Sequence, residues 1–212
     1  MKKNINLFIG VISGLLFLLI YNLSAFANQC ENIRNDTIRL HIIASSDSTE
    51  DQEIKLVIRN RLLSEASNIF DGNVTPDNAE KILIPKLNEI RNITDKILEE
   101  YGYEYKSEVT LETEYFDTRI YDESITMPAG KYLALKIILG KGEGQNWWCV
   151  MFPALCLPVA EENNKFQINT VYSENENMIL KSFKKYEIRF KILEYIESMK
   201  YMVDNNIIGD NA

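Results

Sequence analysis

The sequence predicts an α+β protein: a single domain with a small, mainly antiparallel sheet packed by amphipathic helices, preceded by an N-terminal signal-peptide helix. Three observations predict it. An unbroken apolar run opens the chain, apolar residues recur at helical spacing over residues 54–97 and 183–203, and between those stretches the period drops to two. At 212 residues, 46% hydrophobic and 10% aromatic, the chain is long and apolar enough to bury a core, which excludes wholesale disorder. Its charge excludes a nucleic-acid grip. With 23 Lys plus Arg against 31 Asp plus Glu it carries a formal −8, whereas tracking phosphates requires clustered cations.

The first element is an address. Lys2 and Lys3 supply a basic start, Leu7 to Ile20 is free of charge, and Ala25-Phe26-Ala27 has the small-x-small form of a cleavage site. Residues 1–27 therefore read as a secretory signal peptide and 28–212 as the mature domain. An uncleaved anchor is the competing reading, because Leu7 to Ala27 is long enough to cross a bilayer. Removing residues 1–27 takes away two lysines and no acid, so the net charge moves from −8 to about −10.

In the mature chain Ile38 to Ala44 reads as a short, mostly buried strand. Ser48-Thr-Glu-Asp51 has the form of a capping box, and Ile54, Ile58, Leu62, Ala66 and Ile69 mark the apolar face of the helix it opens. Thr75-Pro76 starts a second helix running to Gly102, with Pro85 expected to kink or divide it. Val109, Leu111, Thr113 and Tyr115 then alternate with Glu108, Thr110, Glu112 and Glu114, which is a strand with one wet face. Ile120 to Met127 and Leu133 to Leu139 add strand candidates, and a long helix follows Ser173 with Phe183, Tyr186, Phe190, Leu193 and Ile196 on one face.

Residues 140–158 depart most from the ordinary. Gly140, Gly142 and Gly144 lack the spacing of a phosphate loop and read as a flexible turn. Next to them stand the only two tryptophans, Trp147 and Trp148. Adjacent side chains point to different sides, so one can be core while the other serves as a recognition anchor, burial of both in the core being the alternative. In an exported protein Cys149 and Cys156 form a candidate disulfide, two buried thiols being the alternative. Seven residues of helix would hold their α-carbons about 10 Å apart, beyond the roughly 7 Å a bridge tolerates, so a bridge needs the bend that Pro153 supplies. Three cysteines and one histidine, all scattered, speak against a structural zinc site, and no cofactor or small-molecule substrate is expected. Catalysis finds thin support: His41 fits a core histidine on a strand, Asp47 and Asp51 sit where a helix start favours carboxylates, and Glu143 is the one acid beside the tryptophans.

Ile38-Arg-Leu-His-Ile-Ile-Ala-Ser-Ser-Asp47, Pro128-Ala-Gly-Lys-Tyr132 and Asn146-Trp-Trp-Cys-Val-Met-Phe-Pro-Ala-Leu-Cys156 resemble the stage II sporulation protein R family of endospore-forming bacteria. The resemblance covers nearly the whole mature chain. It departs from the family pattern at Ser45, where Asn is usual, and at Ala154, where a second Pro is usual. It implies a signalling protein, not an enzyme, made in the forespore and secreted across the forespore membrane into the intermembrane space. There it would activate a membrane-embedded aspartic protease that processes a mother-cell sigma factor precursor. Membrane contact would come through the signal segment or the partner. Partner-binding residues are expected around Trp147, Trp148, Asn146, Phe152, Pro153, His41 and Asp47. The alternative is a secreted cell-wall or peptide hydrolase working through Glu143 or His41.

Overall fold

A computed structural model describes residues 2–69, 74–121, 125–153 and 169–209. The chain is mixed helix and strand, as expected, and forms two compact units. One comprises residues 34–116 and 131–173, and the other residues 1–33, 117–130 and 174–212.

The first unit is built on strand β1 (Ile38–Ile43), whose six residues are buried or nearly so. Helix α2 (Thr49–Ile69) follows, then a 3₁₀ turn at Pro76–Asn78, α3 (Ala79–Leu83), a second 3₁₀ turn at Ile84–Lys86, and α4 (Leu87–Glu100). Pro85 lies in that second turn, so the predicted long helix is divided rather than bent, as a missing amide and a ring clash require. Helix α4 is stopped by Gly102, two residues past its last turn, whose φ of 82° lets the Tyr103 amide turn back to the Leu98 carbonyl at 2.9 Å. Strand β2 (Ser107–Phe116) forms where predicted, but not with one dry and one wet face: Thr113 is exposed and Glu112 and Glu114 are part-buried, because the expected wet face carries the ion pairs to Lys136 and His41.

After β2 the chain passes through the other unit and returns as β5 (Gly130–Leu139) and β6 (Asn146–Phe152). The sheet order is β2-β5-β1-β6. Strand β1 runs parallel to β5, which the long helical excursion between them makes possible, and antiparallel to β6. Register then sorts the side chains. Leu40 lies opposite Leu135 and Cys149, and Ile42 opposite Ile137 and Trp147; this face joins Ile54, Ile58 and Leu62 of α2 and Leu83, Ile90 and Leu98 in one apolar core. Burying each such Ile or Leu contributes about 1.5–3 kcal/mol. The opposite face carries Arg39, His41, Lys136 and Trp148.

The sequence left residues 146–152 without an assigned element, because Trp-Trp-Cys-Val-Met does not alternate in polarity. A strand apolar on both faces has no reason to: Trp147 and Cys149 pack on the core, while the buried Val150 and the half-buried Trp148 line the other face. The glycine turn before it also differs from the flexible loop expected. The Gly144 amide donates to Ala44 O at 2.9 Å and the Glu143 amide to Ser45 O at 3.2 Å, seating the loop on the exit from β1. A Cβ at Gly144 would lie 2.2 Å from the Ser46 carbonyl oxygen, so close approach of two backbones requires glycine there.

The second unit contains α1 (Lys2–Asn35), the hairpin of β3 (Arg119–Tyr121) and β4 (Ile125–Met127), α5 (Glu174–Lys181), which packs on β4, and α6 (Phe183–Gly209). The single C-terminal helix expected from the sequence is broken at Ser182, whose carbonyl accepts from the amides of Lys185 and Tyr186 at 3.0 and 3.3 Å and starts a new helix. Phe26, Phe190, Leu193 and Ile179 are buried, and the Phe26 ring meets Tyr186 at 5.6 Å and Phe190 at 5.3 Å. The basic face of α6 is solvated as predicted, with Lys184, Lys185 and Lys191 exposed and Lys191 paired to Glu187.

Candidate functional site: the His41 face of the sheet

Because side chains alternate along a strand, Arg39 and His41 turn away from the helix-packed core to the other face of the sheet. His41 sits in register between Lys136 on β5 and Trp148 on β6. Its ring lies 5.7 Å from that of Trp148 and 6.0 Å from that of Phe116. Nδ1 is 2.8 Å from Glu114 Oε2 and Nε2 is 2.8 Å from Asn146 Oδ1, so both ring nitrogens are held by neighbouring side chains. Lys136 bridges Glu114, through Oε1 at 2.5 Å, and Glu112 at 2.8 Å. The result is a chain of polar contacts, Asn146–His41–Glu114–Lys136–Glu112, laid across all four strands. Alongside it the Arg39 guanidinium, fully buried, stacks 4.5 Å from the Phe116 ring and 5.0 Å from that of Tyr132.

The electrostatics follow from the same geometry. Burial acts to raise the Glu114 carboxyl, but its hydrogen bonds to His41 and Lys136 outweigh it, and the group is held below the usual carboxylate range. Burial likewise acts against the Lys136 charge, and the bonds to Glu112 and Glu114 reverse it, raising the amine above its ordinary value.

The two tryptophans part company as adjacent residues on a strand must. Trp147 packs against the core, with the Arg59 guanidinium of α2 5.1 Å from its ring, whereas Trp148 lies half-buried beside His41. Cys149 faces the core and is disulfide-bonded; Cys156 lies outside the described residues, and Cys30 is a buried thiol. A nucleophilic pairing of Cys149 with His41 is thus closed by geometry as well as by oxidation. Phe152 packs at the edge of the core and Pro153, after a cis peptide bond, is buried.

Asp47 stands elsewhere, exposed on the connection from β1 to α2. That connection is ordered by Asp51, which differs from the capping box expected. The Ser48 hydroxyl accepts from the Asp51 amide at 3.1 Å, but the Asp51 carboxylate takes the Tyr105 and Ser46 hydroxyls at 2.6 and 2.5 Å instead of reaching back to Ser48. Burial and the bond to Asp51 push the Tyr105 phenol upward. Beside it the Lys55 amine, on a residue 4% exposed, donates to the Gln145 carbonyl at 2.8 Å, and burial holds it below the ordinary lysine value although Asp47 acts in the other direction. Glu143 is exposed on the glycine loop. Among the described residues no group of three or more His, Cys, Asp or Glu is placed to hold a metal ion.

The structure therefore brings together His41, Asn146 and Trp148, and sets Trp147, Phe152 and Asp47 apart from them. Glu114 and Lys136 complete the cluster and were not singled out from sequence. Their signal was the acidic alternation of β2, which a solvated face accounts for equally well.

The family model described as Stage II sporulation protein R matches residues 34–163, a stretch that contains every residue of the His41 cluster. The Bacillus subtilis protein named Stage II sporulation protein R is 37% identical over 129 residues, which cover 61% of this chain. The match spans 57% of that relative's length. No solved structure matches the chain. With the family model covering well over half of its residues, the chain belongs to the stage II sporulation protein R family and has a role in sporulation.

Proposed function

We propose that this chain is a signalling protein of endospore formation, a protein ligand and not an enzyme. Exported from the forespore into the intermembrane space, it activates a membrane-embedded aspartic protease, which then processes the precursor of a mother-cell sigma factor. The observation that carries the reading is the His41 face: a half-buried tryptophan on β6, backed by a histidine whose two nitrogens are both held by neighbours. A large apolar ring with immobilised polar surroundings is how a recognition anchor is built, because little side-chain freedom is left to lose on binding. A histidine held at both nitrogens suits positioning. The ligand would act by binding the active protease better than the idle one, shifting its population.

The test is reconstitution: the exported chain, the candidate protease and its precursor substrate are co-expressed in a non-sporulating host and cleavage is followed. Trp148→Ala and His41→Gln are expected to lower processing about tenfold or more at equal amounts of folded, exported protein, as loss of an anchor worth more than about 1.4 kcal/mol does. Processing unchanged in both variants would remove this face as the contact surface.

A further inference from the structure

We propose that α1 is retained as a membrane anchor whose outer third is part of the folded protein, so that the chain stays tethered to the bilayer it crosses. Between Lys3 and Glu31 there is no charged residue, and the large apolar side chains from Leu7 to Tyr21 are exposed by 48–71% on every side of the helix. A helix of a water-soluble unit shows one apolar stripe; one that is apolar all round matches lipid. At Phe26 the pattern changes within the same unbroken helix. Phe26, Cys30 and Ile33, at the i, i+4, i+7 positions of one face, are 4%, 0% and 0% exposed, while Asn28, Glu31 and Asn32 on the other sides are exposed.

The dimensions agree with that division. From Ile5 to Ser24 the helix rises about 30 Å, the thickness of the hydrocarbon layer, and Phe26 emerges beyond it to stack on Tyr186 and meet Phe190 edge-on. Lys2 and Lys3 at the other end keep the N-terminus cytoplasmic and the folded units outside. The Ala25-Phe26-Ala27 sequence that resembles a cleavage site is thus helical, with its central residue in a hydrophobic core. Cleavage after Ala27 would remove one ring of the Phe26–Tyr186–Phe190 cluster.

The inference shares only the export step with the proposed function. It is tested by expressing the full chain with a C-terminal epitope tag in an exporting host and taking its intact mass in membrane and medium fractions. The expected product keeps residues 1–27, resists an alkaline carbonate wash and loses its tag to protease added outside spheroplasts. A product short by residues 1–27, or one released by carbonate, overturns the anchor. A tag protected from external protease overturns the orientation and the exported role together; an intact, accessible chain that activates no protease sinks the proposed function alone. The core half has its own test. Exchanging residues 1–27 for a leader removed directly before Asn28 is expected to speed trypsin cleavage within residues 174–209 at least tenfold, and unchanged resistance there overturns it.

Discussion

Replacing Glu114 with Gln perturbs the centre of the His41 network by one charge and almost no volume. The wild-type carboxylate is 16% exposed on its side chain and accepts from both His41 and Lys136. A hydrogen bond to a charged group contributes about 1.5–3 kcal/mol. Glutamine keeps one oxygen for one partner and turns an NH₂ toward the other, so one charged bond is lost; Lys136 retains Glu112 at 2.8 Å, which limits the damage. The expected cost is about 2 kcal/mol at neutral pH, or on the order of 10 °C in Tm for a unit of this size. The dependence on pH carries a definite sign. Glu114 is held below its ordinary value of 4.5, so its contribution is fully present above that pH and is lost as pH falls through the depressed value. Lys136 is raised above 10.5, so its contribution is present below that pH and is lost in strong alkali. The gap between wild type and variant is therefore fully present between the ordinary values of 4.5 and 10.5 and narrows on the acid side as pH falls through the depressed Glu114 value. Thermal melts followed by tryptophan fluorescence measure it, because both tryptophans lie on β6 in this sheet. A variant melting within 1 °C of wild type at pH 7, or a gap that does not narrow in acid, would refute the reasoning.

Two further substitutions probe the exit of β1. Gly144→Ala places a methyl against the Ser46 carbonyl, a main-chain atom that cannot step aside, and is expected to lower unfolding free energy by about 2–3 kcal/mol in chemical denaturation; a smaller loss than 1 kcal/mol would show that the loop seats loosely. Lys55→Met removes a buried amine held below 10.5, a group that penalises the folded state while charged and ceases to as pH rises through its lowered value. Wild type should therefore gain stability relative to this variant as the pH is raised from 7 toward 10, and a constant difference across that range would count against the burial of the amine.

Much of the fold was legible because local physics left marks in the sequence. The division at Pro85, the stop at Gly102 and the existence of β2 each follow from a single residue's geometry or from the period of a strand. That Trp147 and Trp148 part to opposite faces followed from adjacency alone. Strand β6 was not legible, since apolar residues on both of its faces erase the alternation that identifies a strand. The break at Ser182 was hidden as well: the apolar spacing continues across it, and only the hydrogen bonds of its carbonyl mark a new start. Within the site, His41, Asn146 and Trp148 could be named from their motifs, but Glu114 could not be joined to His41 across 73 positions of sequence by any local rule.

By itself the sequence determined the apolar entry segment, the acidic charge, the α+β class and the family, all of which are properties of composition, period and motif. Tertiary structure alone decided which tryptophan faces His41, that the glycine loop is seated rather than free, and that Phe26 belongs to a core. Those outcomes depend on strand register and on contacts between distant segments, where a shift of one residue turns every side chain to the other face and so cannot be read from neighbours along the chain.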